Sequence, residues 1–128
     1  RRQRQMCIRD RVTWGAMVYR CLEAAQAHPG AVEVIDLRTI IPWDKETILE
    51  SVQKTGKCLV VHEDTYTGGF AGEILATVAD QAFAHLDGPP RRLTTIDTPI
   101  PYNKTMMNQA VIPNVGKIKA AIEELLAW

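Results

Sequence analysis

Val32-Glu-Val-Ile-Asp-Leu-Arg-Thr-Ile-Ile-Pro-Trp-Asp44 is answered, eighteen residues after Asp44, by His62-Glu-Asp-Thr-Tyr-Thr-Gly-Gly-Phe-Ala-Gly-Glu73. In each, an apolar strand runs into a polar, turn-prone segment, and a helix then begins. In a parallel α/β sheet that transition lies at the carboxyl end of a strand, where ligand- and partner-contacting residues gather. The pair therefore sets the fold class and marks one edge of it for closer reading.

The same alternation extends outward. Val12-Thr-Trp14 is a short extended stub before Gly15. Met17, Val18, Cys21, Leu22 and Ala25 then recur at helical spacing to about Ala27, and His28-Pro-Gly30 stops that helix. Residues Ala31–Leu37 are mostly apolar, as a strand covered on both faces would be. Pro42 and Trp43 fall in a turn. Asp44 is suited to cap a helix striped by Ile48, Leu49 and Val52, which Gly56 ends. Cys58–Val61 is a strand. Gly68 and Gly69 open a loop into a helix carrying Ile74, Leu75, Val78, Ala82 and Phe83. Asp87-Gly-Pro-Pro90 is a turn and Arg92–Ile96 a strand. Residues 97–113 hold three prolines and read as an irregular excursion. Val115, Ile118, Ile122 and Leu125 stripe a last helix ending at Trp128. Four strands alternating with four helices predict a three-layer α/β/α domain with a mainly parallel sheet. Right-handed crossovers gather the strand-to-helix loops on one edge.

Composition narrows the functional classes. The 128 residues suffice for one domain, and no apolar run approaches a membrane span. Three cysteines, Cys7, Cys21 and Cys58, lack CxxC spacing, which argues against a disulfide framework and suits a reducing cytosol or organelle matrix. Net charge is zero, but residues 1–11 hold five arginines and one acid, leaving ten bases and fourteen acids in the rest. That negative body disfavours nucleic acid as a partner. The Arg-rich start has no hydrophobic period, so residues 1–11 are read as a non-native segment and the domain is placed at 12–128.

Catalytic signatures are mostly missing. His62-Glu63 would need a histidine at 66 to make HExxH, and position 66 is Tyr66. The only serine, Ser51, falls mid-helix without a GxSxG elbow. Gly68-Gly-Phe-Ala-Gly72 matches neither phosphate-loop pattern; its glycines suit a helix start in close contact with a neighbouring chain or domain, with anion binding the rival reading. His62 and Glu63 follow an apolar strand and are either a hydrogen-bonded pair pinning the loop or a pair facing another domain. Asp97 can accept backbone N–H bonds, and the prolines after it stiffen the segment.

Five segments together carry a resemblance: Val34–Asp44, Lys54–Lys57, Val61–Glu63, Thr67–Ile74 and Asp97–Pro101. In order and spacing they resemble the C-terminal domain of the β subunit of thiamine-diphosphate-dependent 2-oxoacid dehydrogenases. Thr39-Ile-Ile-Pro-Trp-Asp44 leans toward the branched-chain type over the pyruvate type. The resemblance implies a transketolase C-terminal-like sandwich of five strands, one antiparallel. It implies an intact enzyme that decarboxylates a 2-oxo acid on thiamine diphosphate with Mg and passes the acyl group to a lipoyl arm. In that arrangement this domain holds no cofactor, no metal and no catalytic residue. Its implied partners are a thiamine-binding α subunit, the β subunit's N-terminal domain, a second β subunit and the acyltransferase's subunit-binding domain, in a bacterial cytoplasm or, second, a mitochondrial matrix.

On this reading the interface and docking residues are Arg38, Trp43, Gly68, Gly69, Phe70, Glu73, Asp97, Pro99, Tyr102 and Trp128, with His62 and Glu63 as weaker candidates. Arg38, among apolar neighbours, is expected to pair with a neighbouring domain's carboxylate. Two rivals stand beside it: a free-standing flavodoxin-like binding module, and the C-terminal domain of a pyruvate, acetoin or transketolase-type enzyme. Sugar-phosphate chemistry would call for basic ligands at these strand ends, where only Arg38 and Lys104 are candidates.

Overall fold

The computed structural model describes residues 9–128. Four strands, β1 (Arg9–Thr13), β2 (Val32–Asp36), β3 (Cys58–Thr65) and β4 (Arg91–Thr95), form one sheet in the order β2-β1-β3-β4. Every pairing is parallel. The fifth, antiparallel strand that the resemblance implies is not among the described residues.

The helices form two layers. Helix α1 (Met17–Ala25) packs with α5 (Val115–Leu126) on one face, while α2 (Lys45–Thr55) and α3 (Ala71–Gln81) cover the other. The period of two along β3 separates the cores: Leu59 and Val61 meet Met17, Cys21, Ile118, Ile122 and Leu125, whereas Cys58 and Val60 meet Ile48, Val52, Ile74 and Val78. Burial raises both thiols, Cys21 to about 11 and Cys58 to about 12.

Local chemistry sets the boundaries. The Asp44 carboxylate accepts the Thr47 N–H at 3.1 Å at the start of α2, and Gly56 closes that helix at φ +72°. Asn114 accepts the Lys117 N–H at 2.9 Å at the start of α5. Between β4 and α5 the excursion is more ordered than its prolines suggest: α4 (Lys104–Met106) continues into a π-helical turn, Met107–Val111.

Three expectations are corrected. The first strand begins at Arg9, with Asp10 and Arg11 buried. The domain thus includes residues that the boundary at Val12 left out; residues 1–8 of that segment lie outside the described part. Strand β2 is at the sheet edge and only half buried, because the chain crosses back over β1 to place β3 on its other side. Phe83 is exposed in a short turn after α3, since that helix ends at Gln81.

Candidate functional site at the carboxyl edge

Chain order dictates where this site forms. From β1 the chain moves outward to β2, then returns across β1 to β3, so connections leave β1 and β3 in opposite directions. A crevice opens outside the carboxyl ends of those two strands. Trp14, after β1, and His62, in β3, meet there with ring centroids 5.1 Å apart and planes 19° from parallel. Phe70 lies edge-on to Trp14 at 6.0 Å and to Trp43 at 6.1 Å, linking the connections after β1, β2 and β3.

His62 occupies an irregularity in the ladder. Val61 pairs with Leu93, but the next pairing is Thr65 with Thr95, so β3 spends two extra residues there. The period of two keeps His62 on the face of Cys58 and Val60, toward the α2–α3 core, and it is 1% exposed. Its Nδ1 is 3.0 Å from the Asp64 N–H and its Nε2 is 3.3 Å from the Ala71 N–H. Burial depresses its pKa; Asp64 opposes that shift and Arg92 adds to it. Glu63 faces out, and its carbonyl accepts the Thr95 hydroxyl at 2.5 Å. Among the described residues no hydrogen bond joins the two side chains, and of the two only the His62 side chain holds the loop.

Gly68 adopts φ +76° and Gly69 lies against the histidine: a Cβ there would be 2.7 Å from His62 Cε1 and closer still to the Thr65 carbonyl. Gly69 therefore serves close approach to this chain's own strand, and Gly68 supplies the left-handed turn before it. The first turn of α3 has little left for an anion: Ala71 N–H meets His62, while Gly72 and Glu73 donate to the carbonyls of Gly69 and Phe70. Nor do three or more His, Cys, Asp or Glu side chains group as metal ligands among the described residues.

The remaining candidates divide. Asp97 accepts the Thr67 N–H at 2.9 Å and the Thr67 hydroxyl at 2.5 Å, which ties the β4 connection to the β3 connection. Those bonds, the hydroxyl's first, hold its carboxyl below the usual range. Pro99 and Tyr102 follow in the same exposed strap. Trp43, Phe70 and Glu73 line an open cleft of about 450 Å3 with Ile40, Ile41, Pro42 and Lys45. Ile41, joined to Pro42 by a cis peptide bond, stands 89% exposed at its rim.

Arg38 finds a partner within its own chain. It is in the left-handed region at φ +55°, 85% exposed, and its Nε pairs with Asp36 in its own chain at 3.3 Å. The left-handed turn swings it out of the apolar surroundings that its sequence neighbours imply. Trp128 is apart from the others, packed over Gly88 beside the beginning of β4. Sequence reading missed Trp14, Ile41 and Arg92. Trp14-Gly15 directly after a strand was a usable signal. Nothing local announces that the Arg92 guanidinium would stack 3.7 Å from the Tyr66 ring centroid.

Comparison with known proteins now adds identity to geometry. The family model for the transketolase C-terminal domain matches residues 5–118. The chain is 39% identical over 115 residues to the 2-oxoisovalerate dehydrogenase subunit beta of Pseudomonas aeruginosa, covering 90% of this chain and 32% of that protein. It is 42% identical over 121 residues to the mitochondrial 2-oxoisovalerate dehydrogenase subunit beta 2 of Arabidopsis thaliana, covering 91% and 33%. This chain thus spans about a third of the length of these relatives. Among solved structures it is similar in fold, at TM-score 0.73 and 19% identity, to a split-gene transketolase described as an inactive beta4 tetramer, covering 96% of this chain and 40% of that one.

Proposed function

The chain belongs to the transketolase C-terminal domain family, and from that premise we propose that it is the assembly and docking domain of the β component of a 2-oxoacid dehydrogenase, of branched-chain type. The whole enzyme decarboxylates a 2-oxo acid on thiamine diphosphate with Mg and delivers the acyl group to a lipoyl arm. The cofactor is held outside this domain, by a thiamine-binding α subunit and the β subunit's N-terminal domain. This domain meets those parts, a second β subunit and the acyltransferase's subunit-binding domain. Its setting is the bacterial cytoplasm, with the mitochondrial matrix as the second assignment. Among the described residues no helix is long and apolar enough to cross a membrane.

The observation that carries this reading is the carboxyl edge. There two connections, those after β2 and β4, present Ile41 and Pro42, and Ile96, Ile100 and Tyr102, to solvent on proline-bearing segments. Apolar side chains grouped on a stiff frame suit contact with another protein surface.

The test uses the full-length subunit, obtained by extending the open reading frame and co-expressed with its α partner. Intact assemblies are expected to decarboxylate 2-oxoisovalerate in preference to pyruvate, and Ile41→Asp to weaken assembly by about tenfold or more. The 128-residue chain alone is expected to show no thiamine-dependent decarboxylation. Activity of that chain by itself, or full assembly by the Ile41→Asp subunit, overturns the reading.

A further inference from the structure

Two backbone N–H groups converge on the two nitrogens of one buried imidazole ring. Asp64 approaches Nδ1 and Ala71 approaches Nε2. A neutral imidazole has one acceptor nitrogen, and the cation has none. Tautomer exchange lets the single lone pair serve either N–H in turn; a second proton leaves N–H facing N–H on both sides.

We propose that His62 is an acid-sensitive clasp: neutral, it ties the β3 bulge and the entrance of α3 together, and protonated it releases Gly69–Ala71 and with them Phe70.

The ring cannot escape by turning. One face is stacked on Trp14, and Gly69 stands so close that a single methyl group on it would clash with Cε1. Protonation must therefore move the loop. The loop carries Phe70, which forms a wall of the Ile40–Trp43 cleft, so a change at His62 reaches the exposed rim through one residue. The groups acting on the ring are few. Asp64 on the same strand favours the cation and Arg92 from β4 opposes it, with Asp97 beyond Arg92. Trp14 from the β1 connection and Gly69–Ala71 from the α3 entrance bring no charge. Burial is the largest influence and holds the ring neutral. The clasp is a property of the loop's own geometry, and it stands or falls independently of whether this edge docks a partner.

The test is an NMR titration of the 15N-labelled chain from pH 8 to pH 5, following the His62 ring and the Asp64 and Ala71 amides. The His62 midpoint is expected below the ordinary value of about 6.5. Both amide resonances should shift with that midpoint. Exchange of the Ala71 amide, corrected for its intrinsic pH dependence, should accelerate by about tenfold. In His62→Gln a neutral, non-titrating acceptor replaces the ring, and the transition should vanish. An ordinary His62 midpoint with unmoved amides overturns the proposal, as does a pH transition of the Asp64 and Ala71 amides retained in His62→Gln. If that variant does not fold, the match or mismatch of ring and amide midpoints in the parent chain decides.

Discussion

At the amino edge of the sheet, Asp10 accepts the Thr55 hydroxyl at 2.8 Å, and Lys57 donates to the carbonyl of Leu125 at 2.9 Å across 68 residues of sequence. At the carboxyl edge, the side chains that stand out are those that reach solvent: Ile41, Ile96, Ile100 and Tyr102. The difference is in where each edge finds its contacts. The amino edge turns its polar groups inward: one Asp10 oxygen is bonded to Thr55, while the other is buried without a hydrogen-bond partner. The carboxyl edge fixes its backbone through His62, Thr67 and Asp97, then leaves apolar side chains facing outward. One edge holds the layers together, and the other holds a surface in shape.

Two glycines give the most direct way to break this comparison. Gly69→Ala sets a methyl group against the Thr65 carbonyl and the His62 ring, neither free to move, and should destabilise the domain by about 3 kcal/mol. Gly56→Ala at the other edge meets the end of the Asp87 side chain and stands 3.1 Å from the His85 carbonyl, and with its left-handed backbone should cost about 2 kcal/mol. Urea unfolding of both variants ranks them. The reverse order would make the amino edge the more rigid frame.

The next effect is a pH dependence of opposite sign at the two edges. Burial raises Asp10 from 3.8 to about 6, against the hydrogen bonds from Ser51 and Thr55. Its protonated form is favoured by folding. Its contribution is therefore complete below pH 3.8 and lost as pH rises through about 6. His62, shifted downward, contributes above its ordinary value and loses that contribution as pH falls below it. Asp10→Asn should flatten the dependence between pH 4 and 6 and stabilise the domain at pH 7 by about 2 kcal/mol. Chemical denaturation at a series of pH values separates the two groups. A destabilised Asp10→Asn at pH 7 would show that the ionised carboxylate is well served where it is.

Smaller still is Asp97→Ala. It frees Thr67 and should speed exchange of the Thr67 amide at neutral pH while leaving the core unchanged. With its carboxyl held low, Asp97 should keep its hold until the pH falls below 3.8, and an earlier release would sever the link between the two loops. Smallest is Arg38→Ala, where an exposed ion pair with Asp36 is worth about 0.5 kcal/mol or less in a thermal melt.

What the chain revealed before folding was what short-range chemistry controls. Asp44 and Gly56 bound their helix as their side chains dictate, and the stripe Ile118, Ile122 and Leu125 is buried as its spacing requires. What stayed hidden depends on partners distant in sequence. Asp10 looked like part of an arginine-rich leader because its burial rests on Thr55, 45 residues away. His62 read as one half of a pair because the amide that meets its Nε2 belongs to Ala71, nine residues further along at the entrance of α3. The pairing of Arg38 with Asp36 of its own chain stayed hidden because a left-handed residue was not foreseen between Leu37 and Thr39. Asp97 as an acceptor of a backbone N–H was legible in its own sequence, whereas the amide that meets His62 Nε2, from Ala71, was not.

The period of two along the central strand has one more consequence. Cys58 points into the α2–α3 layer and Cys21 sits in the α1–α5 layer, each fully buried and each with a thiol too weakly acidic to react where it is. With Cys7 replaced by serine, alkylation of either sulfur requires its own layer to open. The two modification rates then report separately how often each side of the molecule comes apart, a stopwatch for each layer supplied by the natural sequence.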